Sequence, residues 1–278
     1  MKKIVLLLAC VMLLVSCSSD NDMIHRYKDK ITVSCTGNIV EQSVEIDGVY
    51  NAIKVYDDFN VIVTDEVSQP TIITDEALIN HVDLRVEKNE LLVIYDCPIH
   101  LKGDVSNSTL KLPEMGNVDE VELNGKTIFR CEEPWQTSFF DLSLNGVSHA
   151  EVDASMVMNE VDLSLSGASE ATIECNVNNL DIDIDGTCVL NLSGDANNLE
   201  VEMAGDSRIE SEMDDEVFKF SANIADMNLS GNSIIYLNCV EQMNVTAGGN
   251  SVIYYTGFPK INQKISGTAT ICRYNANN

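Results

Sequence analysis

The stretch Phe140-Asp141-Leu142-Ser143-Leu144-Asn145-Gly146-Val147-Ser148-His149-Ala150-Glu151-Val152 decides the fold. It alternates apolar and polar residues, breaks at a glycine followed two positions later by a hydroxyl residue, and alternates again. The same frame returns around Gly167, Gly186, Gly205, Gly231, Gly249 and Gly267, and more loosely around Gly125, which makes eight copies. Successive glycines are 21, 21, 19, 19, 26, 18 and 18 residues apart, a near-constant period that signals a repeat architecture. Each period holds two short strands and leaves no room for a helix.

Aligned on the glycine, the copies give columns. Four residues before it stand Val121, Leu142, Leu163, Ile182, Val201, Met227 and Val245, and two before it Leu123, Leu144, Leu165, Ile184, Met203, Leu229, Ala247 and Ile265. Two after it the residue is small: Thr127, Ser148, Ser169, Cys188, Ser207, Ser233, Ser251 and Ala269. Four after it is apolar again, from Phe129 and Ala150 to Ile253 and Ile271. Period-2 alternation buries one face of a strand and wets the other, and like residues at a fixed repeat imply copies stacked in register. The expected fold is therefore all-β: a right-handed parallel β-helix, or solenoid, its hand set by the rule for parallel crossovers. Its coils would be about 4.8 Å apart. Glycine marks one corner, where a left-handed or crowded backbone is needed. Asn178-Asn179 and Asn197-Asn198 mark a second, on the ground that Asn tolerates the left-handed conformation.

Composition narrows the partners. With 17 Lys and Arg against 44 Asp and Glu, the chain carries a formal charge of −27. That excludes nucleic acid, which needs clustered cations, and disfavours docking on anionic headgroups. An acidic surface also keeps an edge-rich β protein soluble.

The first 16 residues stand apart from the fold. Lys2-Lys3 opens them, Ile4 to Val15 is apolar and too short for a membrane helix, and Leu14-Val15-Ser16-Cys17 resembles a bacterial lipobox. That resemblance implies cleavage before Cys17 and lipidation of Cys17, hence a membrane partner reached through an N-terminal lipid anchor. The acidic tract Ser18-Ser19-Asp20-Asn21-Asp22 is similar to the export tag of Bacteroidetes surface lipoproteins, and serves equally as a plain tether. Seven cysteines remain beyond Cys10 and Cys17, an odd number without a CxxC pair. They read as core filler, with Cys175 and Cys239, each eight after its glycine, as possible stacked neighbours at a corner.

From Ile31 to about Met115 the repeat is not visible and the strands are longer, as expected of a cap at one end of a stack. Here Gly37-Asn38-Ile39-Val40, Val49-Tyr50-Asn51-Ala52-Ile53-Lys54-Val55, Phe59-Asn60-Val61, Asp75-Glu76-Ala77-Leu78 and Val86 to Ile94 precede the Gly-x-Ser coils in an order that resembles the putative auto-transporter adhesin, head GIN domain family, common in Bacteroidetes lipoproteins. Cys35 stands where that family usually has a glycine. The resemblance implies a β-helix and a surface role, and brings no catalytic residues. The expected organisation is a signal peptide (1–16), a tether with the start of the first strand (17–34) and one domain (35–278), divided into capping coils (35–115) and regular coils (116–278).

For chemistry, the informative outward column stands five before the glycine: Glu120, Asp141, Asp162, Asp181, Glu200 and Asp226, then Asn244 and Asn262. Like charges in register repel. Water and salt moderate an exposed ladder, or Asp162, Asp181, Asp183, Glu200 and Glu202 collect Ca²⁺, a hard ion taking six to eight oxygens. Asp181, Asp183 and Asp185 also resemble the carboxylate rows of β-helix polysaccharide lyases and glycoside hydrolases. Short coils without cleft-building loops, few aromatics and a negative face oppose catalysis.

No Gly-x-Ser-x-Gly elbow exists. His25, His81, His100 and His149 lack ligand spacing and read as solvent-facing. Trp135 reads as a contact residue or a plug. The long interval from Gly205 to Gly231 reads as a solvated acidic loop with an extra strand, and Gln263 and Arg273 in inward columns read as a polar terminal cap. The expectation is a non-catalytic, lipid-anchored envelope protein at the outer membrane, an adhesin or scaffold for a glycan or protein ligand. A carbohydrate-active enzyme and a structural protein without specific ligand are the alternatives.

Overall fold

The computed structural model describes residues 29–103, 107–132 and 137–274, without the side chains of 153–157. Cys17, the acidic tract 18–22, His25 and Trp135 lie outside the described residues. Those described are all-β apart from a 3-10 turn at Ile79–His81, and no helix among them is long and apolar enough to cross a membrane.

The columns read from the sequence are the register of the sheet. On one side of the glycine, parallel pairing runs Val121↔Leu142↔Leu163↔Ile182↔Val201↔Met227↔Val245↔Gln263. On the other it runs Phe129↔Ala150↔Ala171↔Leu190↔Ile209↔Ile235↔Ile253↔Ile271. Each repeat is thus a rung on the one before. The inward columns are buried as far as Val245 and Ile253, in one continuous core. Val189–Gly205 and Ile234–Ala247 each run along both faces of the stack. Between them lie Arg208–Glu210 and Phe220–Leu229, the two parts of one interrupted rung, so these four strands close a ring of pairing.

Gly186 shows why the corner is glycine. Its φ is +121°, and a Cβ there would lie 2.3 Å from the carbonyl oxygen of Gly167 in the rung below. Behind the corner the hydroxyl column closes a tight turn: Ser148 Oγ donates to the Asn145 carbonyl at 2.6 Å and Ser169 Oγ to the Ser166 carbonyl at 2.8 Å.

The second corner falls where expected but for a different reason. Asn178 and Asn179 are consecutive exposed residues between inward Val177 and Leu180, which reverses the strand's phase. Neither has a positive φ. Asn178 Nδ2 instead donates to Asn159 Oδ1 at 2.9 Å, Asn197 Nδ2 to Asn178 Oδ1 at 2.8 Å and Asn223 Nδ2 to Asn197 Oδ1 at 2.9 Å. A primary amide is both donor and acceptor, so identical side chains stack attractively.

Two further rungs lie below Gly125, hidden in the sequence. Ala52–Val55 and Phe59–Val63 pair in parallel with Glu120–Gly125 and Ile128–Cys131 above, and with Glu90–Tyr95 and Ser108–Leu112 below. Asp57, at φ 61°, takes the corner place of glycine. Antiparallel strands Val82–Glu87, Thr71–Asp75 and Ile39–Ser43 flank this end. The Asp75 carboxylate fastens the Gly37 turn, accepting from the Ala77, Thr36 and Gly37 amides at 2.9, 2.9 and 2.7 Å. These bonds, that from Ala77 foremost, hold its pKa below the ordinary value.

Two expectations need correction. The extra strand expected between Gly205 and Gly231 is present as two short ones, Met213–Asp214 and Val217–Phe218, paired as an antiparallel hairpin, and the loop that carries them is not wholly solvated. Buried Phe218 packs 5.6 Å from Tyr236 and 5.4 Å from Tyr274, ring to ring. Nor do Cys175 and Cys239 stack on each other; Cys175 lies opposite Gly194, and Cys239 opposite Ala222. No disulfide joins the cysteines among the described residues.

Gly186→Ala should cost more than about 3 kcal/mol, because backbone strain and a collision with fixed backbone coincide. Gly37→Ala, at φ +78° with nothing within 4 Å, should cost only about 1 kcal/mol. Urea denaturation of the two variants measures the difference, and equal losses would show that the close approach contributes nothing.

Candidate binding face

The strand segment before each glycine turns three residues outward, and register lines them up across eight rungs. The first row is Glu120, Asp141, Asp162, Asp181, Glu200, Asp226, Asn244 and Asn262. The second row contributes Glu122, Asp183 and Glu202, and the third Asp185. One open face thus carries ten carboxylates.

Its ends are compensated. At the base, Lys54 Nζ lies 3.0 Å from Glu122, 3.2 Å from Glu90 and 3.5 Å from Glu120. Burial pulls the Lys54 pKa down, but these carboxylates outweigh it and raise it. Near the other end Asn244 Nδ2 donates to Asp226 at 2.5 Å, and Asn262 Nδ2 to Asn244 Oδ1 at 2.7 Å. Between these ends Asp162, Asp181, Asp183, Asp185, Glu200 and Glu202 face water. Two unit charges about 5 Å apart in water repel by about 1 kcal/mol before salt screening. The strain shows at Asp162, whose pKa is raised by burial and then by Glu160, Asp181 and Asp141. Asp141 is raised by burial and Glu122, against the Ser143 hydroxyl and Lys54.

The predicted calcium residues therefore lie in two adjacent outward rows of three successive rungs. Their oxygens do not converge: the one group of three ligand atoms mutually within 4.8 Å, among the described residues, is His81, Asp96 and Cys97. Asp181, Asp183 and Asp185 lie along one strand, alternate residues about 7 Å apart, and no loop among the described residues encloses them. On the opposite side of the stack an open groove of about 760 Å³ runs between the outward residues Thr172, Asn191 and Glu210 and the inserted segment carrying Glu212 and Lys219. Sequence reading missed this groove because the hairpin's fold-back depends on one aromatic anchor, Phe218.

A stack of in-register parallel strands with one long polar face defines an all-β repeat protein whose largest feature is a surface. The chain belongs to the family described as "putative auto-transporter adhesin, head GIN domain", whose model matches residues 49–259. Its fold is similar to that of a "putative adhesin" from Parabacteroides merdae, with 20% identity and a TM-score of 0.76 over 86% of this chain and 98% of that one. A "putative lipid binding protein" from Parabacteroides distasonis is 18% identical with a TM-score of 0.71 over 87% and 98%. A "putative adhesin" from the same organism is 16% identical with a TM-score of 0.75 over 87% and 99%. No curated protein matches the chain.

The raised carboxylates fix a pH dependence. A carboxyl whose folded pKa is raised stabilises the fold fully below its unfolded pKa, and that contribution is lost as pH rises through the folded value. Asp162→Asn, which stays neutral at every pH, should raise the melting temperature at pH 7 by about 1–3 °C. At pH 3.5 the gain should shrink. A variant less stable than wild type at pH 7 would contradict the repulsion.

Proposed function

We propose that this chain is a non-catalytic, lipid-anchored protein of the outer membrane that presents a right-handed parallel β-helix as an adhesin or scaffold. The observation that carries the reading is the face itself: equivalent outward residues repeat from rung to rung along a surface whose concavities, about 350 Å³ between Glu200, Asp226 and Asn262 and about 350 Å³ between Asp183, Asp185 and Glu202, are open to solvent. Many weak contacts repeated at the rung spacing suit a glycan chain or a basic protein surface better than a single pocketed ligand does. The right hand rests on the crossover rule for parallel strands, and the single domain from 35 to 278 on the continuous core. The anchor rests on the lipobox ending in Cys17. The family and the adhesin-named neighbours support an envelope location. Lipid binding, the function in one neighbour's name, fits this chain poorly, because its groove is lined mainly by charged and polar side chains.

Protease shaving of intact cells should release the domain, and Cys17→Ala should abolish membrane retention. Purified protein on glycan and basic-protein arrays should bind with an affinity that falls as salt rises, and Asp183→Asn with Glu202→Gln should weaken it several-fold. Protection from protease in intact cells would sink the surface role. Reducing ends or unsaturated products released from polysaccharide, and lost in Asp183→Asn, would replace it with a carbohydrate-active enzyme.

A further inference from the structure

We propose that His81, Asp96 and Cys97 form a site for a borderline-soft divalent cation of the zinc class, at the open end of the N-terminal antiparallel hairpin. Their donor atoms all lie within 4.8 Å of one another, and His81 Nδ1 is 3.1 Å from Asp96 Oδ1. Tetrahedral zinc, with bonds of about 2.0–2.3 Å, places neighbouring ligand atoms about 3.3–3.7 Å apart. Reaching that spacing takes an opening of a few tenths of an ångström between His81 and Asp96, at 3.1 Å, and an inward shift of the thiol of about 1 Å at most.

The backbone builds this cluster. Val82–Glu87 and Glu90–Tyr95 pair antiparallel across a turn at Lys88 and Asn89, whose φ values are 54° and 69°. The last ladder pair is Val82↔Tyr95. One step beyond it the Asp96 amide donates to the His81 carbonyl at 2.7 Å, which fixes the histidine opposite the aspartate. The chain then bends at Asp96-Cys97, so the thiol falls beside its neighbour instead of across the strand from it.

Cys97 also differs from the other buried cysteines. Cys131, Cys175, Cys188 and Cys239 pack in the hydrophobic core, whereas Cys97 is buried outside it, at 6% exposure. The His81 and Asp96 side chains keep 30% and 37% of their surface, which leaves a route in and room for water as the fourth ligand. A thiolate, a carboxylate and a neutral imidazole neutralise a dication, and the nitrogen and sulfur donors select zinc-like ions over Ca²⁺ or Mg²⁺. Because the thiol must lose its proton to bind, affinity falls with falling pH.

Titrating the metal-free full chain with Co²⁺ tests the site. The expected result is one ion per chain, with a thiolate-to-cobalt charge-transfer absorption that Zn²⁺ abolishes by displacement, and a higher melting temperature with Zn²⁺. Cys97→Ser should remove the absorption and His81→Ala should weaken binding about 100-fold, while His100→Ala changes neither. An absorption that survives Cys97→Ser, or a stoichiometry far below one, overturns the proposal. Should Cys97→Ser not fold, histidine-ring NMR of the unmodified chain decides: one equivalent of Zn²⁺ shifts one imidazole if the site is real, and a spectrum without change refutes it.

Discussion

The described rungs hydrogen-bond to one another at equivalent residues, with shifts between Val152 and Met156 and between Ala222 and Ile224, and that register constrains everything else. It is most severe at the corner. The carbonyl oxygen of Gly146 lies 2.5 Å from where a Cβ on Gly167 would be, and the distance is 2.3 Å from Gly167 to Gly186 and 2.2 Å from Gly186 to Gly205. The carbonyl beneath, whatever residue carries it, excludes a Cβ above, as it also does where Gly194 lies over Cys175 and Gly257 over Cys239, at 2.0 and 2.2 Å. Phe129 beneath Ala150, both fully buried, shows the complementary freedom inside: the inward column takes side chains of very different size in adjacent rungs, provided that each is apolar and the core as a whole is filled.

The register that builds the core also forces like above like outside, with opposite results for different side chains. Stacked asparagines attract, because each amide donates to the one below, and Asn159, Asn178, Asn197 and Asn223 run as a hydrogen-bonded edge. Stacked carboxylates repel. Lys54 relieves the first of them and Asn244 the last, while Asp181 and its neighbours in the middle rungs remain exposed without such a partner. The chain places amides in that column at Asn244 and Asn262 and acids through the middle, and at Asp141 and Asp162 burial first and neighbouring carboxylates second raise the pKa.

How much of this was legible follows from the same physics. The inward columns from Phe140 to Val245 could be read directly, since period and alternation report burial on both sides of the glycine. The rung at Ala52–Val63 could not, because Asp57 adopts the left-handed corner without being glycine, and antiparallel strands separate it in sequence from its neighbours. The Asn corner was legible in place but not in cause, because side-chain ladders exist only once the register does. The acidic rows were visible as a column. His81, Asp96 and Cys97 were not, since no ligand spacing links them; the hairpin turn at Lys88-Asn89 makes them neighbours.

The dimensions of the polar face bear on what it can hold. Eight rungs at about 4.8 Å give a length of about 40 Å, and six residues of strand at about 3.3 Å give a width of about 20 Å. The product, about 800 Å², equals what one partner contributes to a protein interface of standard size. A flat ligand laid along the rungs would thus bury enough surface for specific binding without any pocket. Because every rung offers the same spacing, a repeating partner could slide by one rung and lose only an end contact. Such a surface gains strength from length and gives up unique registration, which suits attachment more than it suits turnover at a fixed centre.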